Sequence, residues 1–454
     1  MKQILFSLFV TLSLVALLSG CKKYLDKKSN DALVIPSTLA DLQGLLDDGF
    51  TMNQVTPSLP ESSADDYFLP EKVAAAMPTG YRDIYTWELK QYNYQNDWSK
   101  NYLPVYNANV CLEKVSEIAK TPANEQQWDN VKGAALFFRA YSFLNLAWEY
   151  AKAYDEDSST VDPGIVLRLS SDFNIPSKRS TVGENYKQII SDAKESLTYL
   201  PVNVIEPMRP SRAAAYGLLS RIYLSMRMYD SSLKYASACL SIQNELMDFN
   251  GDADITQLSG AAPFRKFNKE TIFYTQMNGN VPLHTYSNCF IDTVLYSLYD
   301  SNDLRREAFF DANNGYHKFK GSYTGNRNML FTGIATDEIY LTKAECMVRL
   351  GNIAEGLDVL NQLMVKRWNI ASTYTPLTAD TEEKALNLIL KERRKELLIR
   401  GLRWIDIKRL NKEGFNIIPE RKFGGMVYKL PPNDNRYALP IPSDIINLTG
   451  MKQN

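Results

Sequence analysis

Histidine and cysteine are scarce in this chain. Two histidines among 454 residues, His284 and His317, exclude most His-rich zinc sites. The five cysteines, Cys21, Cys111, Cys239, Cys289 and Cys346, include no CxxC pair. Cys111, Cys239 and Cys346 stand in apolar helical surroundings, the setting of buried free thiols. Net charge is nearly absent as well: 51 basic against 52 acidic side chains leave −1, whereas a dedicated nucleic-acid binder carries a basic excess. No GxxxxGK[ST], GxGxxG, HExxH or GxSxG occurs, so a phosphate loop, dinucleotide turn, metalloprotease helix or nucleophile elbow has no starting point. Asp248, Asn250, Asp252 and Asp254 alternate as calcium ligands do. Position six is Ala253 and position twelve Ser259, however, where a calcium loop needs Gly and Glu. No cofactor and no metal is expected. Carboxylates do neighbour one another, as at Asp65-Asp66, but adjacency in sequence does not place two of them across a sugar bond.

Long apolar runs are missing too, with one exception. Lys2 is followed by an uncharged apolar stretch from Ile4 to Leu18, which stops at Leu18-Ser19-Gly20-Cys21. A short apolar run behind a positive start, ending in small residues before a cysteine, is the pattern of a bacterial lipoprotein leader. It predicts removal of residues 1–20, lipidation of Cys21, and a mature chain that is anchored and does not span the membrane. Residues Lys22 to Ser37 then read as a polar tether.

What is present is an ordinary globular balance, 45% hydrophobic and 23% charged, with a high aromatic share of 11% from 27 Tyr, 19 Phe and 6 Trp. The dominant period is helical. Val131 to Ala151 is apolar on most of its circumference, with Ala135, Phe138, Ala140, Tyr141, Phe143, Leu144 and Trp148, which predicts a helix buried between others. Gln188–Leu200 and Ser211–Leu240 repeat the habit, with Pro210-Ser211 a helix start. Ser211–Leu240 also lies on Ala335–Met364 at an offset of 124, setting Ser220 on Ala344 and Ser232 on Gly356. Small residues twelve apart with a turn between them allow two helices to pack closely antiparallel, as in a tetratricopeptide unit. The predicted fold is therefore dominated by α-helix, with long irregular loops carrying a few short strands. Thr51–Trp98, Ala261–Thr332 and the proline-rich tail Asn411–Asn454 break the period, and such segments on a rigid scaffold are where binding sites gather.

Several segments together resemble the SusD/RagB family. They are the mature start Cys21-Lys22-Lys23-Tyr24-Leu25-Asp26; Trp98, Tyr106 and Asn109; GAALFFRAY at Gly133–Tyr141, with Ala134 where Glu is usual; Arg179-Ser180-Thr181-Val182 followed by Tyr186, Ile189 and Asp192; and Asn302-Asp303-Leu304-Arg305-Arg306. The most specific is KERRKELLIRGLRWIDIKRL at Lys391–Leu410, where Arg400 replaces a usual Glu. Leu439-Pro440-Ile441-Pro442, Ile445, Asn447 and the final Lys452-Gln453-Asn454 complete the series. Within Lys391–Arg409, helical spacing sets Glu392 beside Lys395 and Glu396 beside Arg400, so the run reads as a structural ion-pair helix ending at Gly401, with Trp404 in the core.

The resemblance implies a leader at 1–20, an N-terminal SusD-like region with tetratricopeptide-like helices at 21–240, and a C-terminal SusD/RagB region at 241–454. It further implies a non-enzymatic lipoprotein facing outward on the outer membrane. Such a protein captures a glycan or oligosaccharide and delivers it to a SusC-like TonB-dependent transporter, with no nucleic-acid partner. Sugars present apolar C–H faces and rings of hydroxyls, which aromatic planes and Asn, Asp or Arg complement. The candidate ligand residues come from the two irregular segments: Asp66, Tyr67, Tyr81, Tyr85 and Trp87, then Tyr286, Asn288 and Tyr323. Tyr85 and Trp87, two apart in an extended loop, would face the same side as a platform. Oligopeptide capture, an outer-membrane glycoside hydrolase and a purely structural scaffold are the competing readings.

Overall fold

The computed structural model describes residues 36–92 and 96–454; the leader, Cys21 and most of the tether lie outside the described residues. The longer helices are α1 (Leu39–Leu46), α2 (Asp97–Glu117), α3 (Glu125–Tyr150), α4 (Val182–Tyr199), α5 (Arg212–Ser225), α6 (Tyr229–Leu240), α7 (Thr336–Arg349), α8 (Ile353–Met364), α9 (Glu382–Glu396) and α10 (Arg403–Asn411). Local chemistry sets their starts. Thr38 and Thr181 close capping boxes with Asp41 and Glu184, while Asn96 and Ser211 accept from Ser99 N and Ala214 N, each satisfying amide groups that the first turn leaves unpaired.

From α2 to α8 each helix packs against the next, so α6 touches α7 across the long 241–335 insertion. The helical array therefore continues past residue 240. α3 is buried along every residue from Gly133 to Leu144, as a circumference apolar on most sides predicts, between α2 and α4. The two hairpins α5–α6 and α7–α8 reproduce one another at the offset of 124, boundary for boundary. Their crossings explain the small residues. Ser232 Oγ donates to Ser220 O at 3.0 Å, and a Cβ on Gly356 would sit 3.0 Å from Ala344 O and 2.6 Å from Val348 Cγ2.

The irregular segments are more ordered than their sequence suggests. Thr51–Trp98, read as lacking helical period, contains short helices at Leu59–Ser63, Glu71–Ala76 and Thr79–Tyr85. Pro60 lies in the first turn of one, while Pro70 and Pro78 cap the other two; proline presets φ for a helix start, and one or two turns are too short to display a period. Among the described residues the strands form five two-stranded sheets. Tyr67–Phe68 pairs with Phe290–Ile291, and Glu420–Phe423 pairs with Met426–Lys429. A large helical core is thereby joined by two smaller cores, one of which gathers Leu59, Tyr67, Tyr85, Trp87, Leu283, Trp404, Tyr437 and Leu439. Trp404 is 1% exposed, as its core assignment requires. Cys111, Cys239, Cys289 and Cys346 are buried free thiols. No helix among the described residues is long and apolar enough to cross a membrane.

The ion-pair segment departs from expectation at its end. α9 stops at Glu396, and Ile399 and Gly401 take left-handed φ values of 55° and 75° before α10 resumes. That break separates Glu396 from Arg400. Glu392 does meet Lys395 at 2.9 Å, but Glu396 binds Arg305 and Arg367, and Arg400 turns to Asp337 at 2.8 Å.

Candidate functional site: two clefts beside a short helix

Buried charge positions the loops that form the site. Arg305, wholly buried, holds Asp303, Glu392 and Glu396 at 2.5–2.9 Å. Arg394 and Arg403 reach from α9 and α10 to Asp66 and Asp65 at 2.8 and 2.6 Å. Burial alone would raise the Asp65 carboxyl, yet these guanidinium groups keep it well below the usual carboxylate range. A buried pair of this kind is weak evidence of net stability, but removing one partner strands a charge, so the contacts specify where the 58–92 segment lies. Glu270, Asp337 and Glu396 bring carboxylate oxygens within 4.8 Å of one another. Arg367 and Arg400 bind these acids at 2.7–2.8 Å, supplying the positive charge that a metal ion would bring. In the Asp248–Asp254 loop, Lys366 and Lys269 pair with Asp248 and Asp252.

The candidate ligand residues separate into three groups, with Tyr81 apart. Tyr67, Tyr85 and Trp87 do come together, but around a protein cation. The Arg421 guanidinium carbon lies 4.4, 4.6 and 5.6 Å from their ring centroids, and its nitrogens donate to Tyr67 O and Ala64 O. Tyr67 and Tyr85 are 1% and 2% exposed, and their hydroxyls serve Ser62 O and Leu69 N. The extended platform expected of Tyr85 and Trp87 does not form, because Tyr85 ends a helix and Trp87 takes φ 58°. Asp66 is buried in its arginine pair, and Tyr323 is buried in a separate core, donating to Glu270 at 2.6 Å under the Arg400 guanidinium. Tyr286 and Asn288 form the third group, half-buried on a turn. Tyr286 donates to Asp311 at 2.9 Å with Arg327 stacked 4.1 Å over its ring, while Asn288 braces Pro282 O.

Tyr81 faces open space. It lines a cleft of about 390 Å³ with Pro78, Tyr92, Asn96, Asp97 and Asn280, and its hydroxyl donates to Asn280 O at 3.1 Å. Asp97 forms the polar floor, accepting from Ser58 N, Leu59 N, Asn278 and Asn280; burial raises its carboxyl despite those donors. A second cleft of about 300 Å³ lies beside it, lined by Trp87, Lys90, Asn435, Arg436 and Asn454, and Ile84 borders both. The Thr79–Tyr85 helix thus presents Tyr81 to one concavity and leads into Trp87 at the other. Asn96, Asp97 and Asn280 were not anticipated: no motif marks them, and Asn280 meets Tyr81 only through the fold, 199 positions away. Aromatic walls with a few convergent polar groups and no paired free carboxylates suit ligand holding.

Comparison with known proteins places this architecture. A family profile described as "Starch-binding associating with outer membrane" matches residues 23–224, and one described as "SusD family" matches 307–454. The SusD-like protein P2 of Formosa agariphila is 21% identical, covering 76% of each chain. A SusD superfamily protein of Bacteroides thetaiotaomicron superposes with a TM-score of 0.74 at 22% identity, covering 92% of this chain and 99% of its own. A SusD-like carbohydrate binding protein of Bacteroides vulgatus gives 0.67 at 19% identity, covering 91% and 97%. The solved structures share its fold, and the two profile matches, one over each part of the chain, carry the conclusion that the chain belongs to the SusD family.

Proposed function

We propose that this protein is a lipid-anchored, outward-facing glycan-binding component of the outer membrane, which holds an oligosaccharide in the Tyr81 cleft and passes it to a SusC-like TonB-dependent transporter. The observation that carries this reading is the cleft itself: aromatic faces at Tyr81 and Tyr92 stand beside the amides of Asn96 and Asn280. Capture needs nothing more, since apolar C–H faces rest on the rings while hydroxyls exchange hydrogen bonds with amides. Asp97 is the one carboxylate lining the cleft among the described residues, and protein donors already occupy both its oxygens. A glycosidase requires two working carboxyls across the bond, so binding is favoured over hydrolysis.

Affinity electrophoresis of the full chain through gels containing soluble starch, xylan, laminarin or pectin tests the proposal. Stacking on an aromatic ring is worth roughly 1–3 kcal/mol for nucleic-acid bases; on that scale Tyr81→Ala weakens retention about tenfold while the chain stays folded, read by circular dichroism. A parent chain that no polysaccharide retards, or new reducing ends in the mixture, would overturn this assignment.

A further inference from the structure

A third concavity lies against the helix that floors the Tyr81 cleft. Asp97 lines the Tyr81 cleft, while its neighbour Trp98 lines a cleft of about 200 Å³ between α2 and the 166–177 segment. Successive helical residues point about 100° apart, so the two clefts open on different faces of α2. At the rim of the Trp98 cleft stand Tyr106 and Phe173, 40% and 73% exposed, with ring planes 23° apart and centroids separated by 5.8 Å. Their exposure is not slackness. Glu113 accepts from Ser170 Oγ and Ser171 N at 2.8 Å each, and Asn109 Nδ2 donates to Arg168 O and Ser170 O. Two α2 side chains one turn apart therefore fix the loop that carries Phe173. Arg168 spends one nitrogen on Ile175 O; its remaining N–H groups, the Tyr106 hydroxyl and the Ser177 hydroxyl make no hydrogen bond within the described residues.

We propose that the Tyr106–Phe173 cleft is a second saccharide site, sized for a single pyranose ring that stacks on the aromatic pair and turns its hydroxyls to Arg168 and Ser177. This rests on the carbohydrate reading above. A concave surface with unspent donors beside a fixed aromatic pair suits a polyhydroxylated ring better than a flat protein face, which would need a larger apolar area. Two sites on one rigid helix would engage one polysaccharide twice, raising avidity without any new contact.

The same gels test it with Phe173→Ala and Tyr106→Ala, melting temperatures being measured alongside. Each variant is expected to lower retention about tenfold on a polysaccharide that retards the parent, on the stacking scale used above, with unchanged melting. Parental retention of both variants while Tyr81→Ala is released overturns the second site and leaves the first standing. Release of Phe173→Ala with Tyr81→Ala unaffected supports the second site and overturns the first. Absence of retention for the parent overturns both. Parental retention combined with lost co-purification of a barrel transporter assigns the face to a protein partner and overturns the saccharide site.

Discussion

Arg421 determines what three of the aromatic residues can do. A guanidinium planted among Tyr67, Tyr85 and Trp87 makes their rings the wall of a cation cage, and a desolvated cation–π contact is worth about 2 kcal/mol. Arg421→Met should therefore lower unfolding stability by about 2 kcal/mol or more, read from the urea midpoint; an unmoved midpoint would mean the rings support one another without the cation. Glu61 is the second telling residue. It is fully buried, and burial, with Asp66 nearby, pushes its carboxyl up to about 8 even though Gly401 N donates to it at 2.8 Å. The folded state then keeps a proton that the unfolded chain releases above about 4.5, so this group removes stability as pH rises from there toward 8. Glu61→Gln should flatten that decline, leaving the variant relatively more stable than the parent at pH 8 than at pH 5 in paired thermal melts. A parallel fall in both proteins would place the titration elsewhere.

Close crossing is what the elements depend on. Gly356 has Ala344 O and Val348 Cγ2 within reach of any added Cβ, so Gly356→Ala should cost about 1–3 kcal/mol through overpacking, while its counterpart Ser232, already accommodated with a side chain, tolerates alanine better. Differential scanning calorimetry of the two variants decides it; equal melting temperatures would argue against a tight α7–α8 crossing. This repeat was legible because its signal is local and periodic: Ser220 and Ser232, and Ala344 and Gly356, recur at fixed spacing, and Ser211 marks its own helix start. The site was less legible for the opposite reason. Aromatic density in Thr51–Trp98 pointed to Tyr81, but it pointed equally to Tyr67 and Tyr85, and what removes those two is an arginine bonded 354 positions from Tyr67. The short helices were hidden by their length, and the α9 break by Ile399, whose left-handed backbone no residue preference announces.

For the whole molecule, the helical array acts as a frame on which buried ion pairs pin the loops that form the clefts. That frame is proposed to be held at a surface by lipid on Cys21. Cys21→Ala should leave the protein in the soluble fraction or unprocessed, judged by membrane fractionation and gel mobility; membrane retention at the parental mobility would refute the anchor. One further consequence follows from the sheets. Every strand among the described residues belongs to a pair and spans two to four residues, so the sheets are nearly all edge, yet each edge offers an incoming strand only a few backbone groups. Edge-to-edge recruitment needs longer flat ladders. Short edges of this kind limit pairing between copies of the chain without charged or proline gatekeepers on every strand.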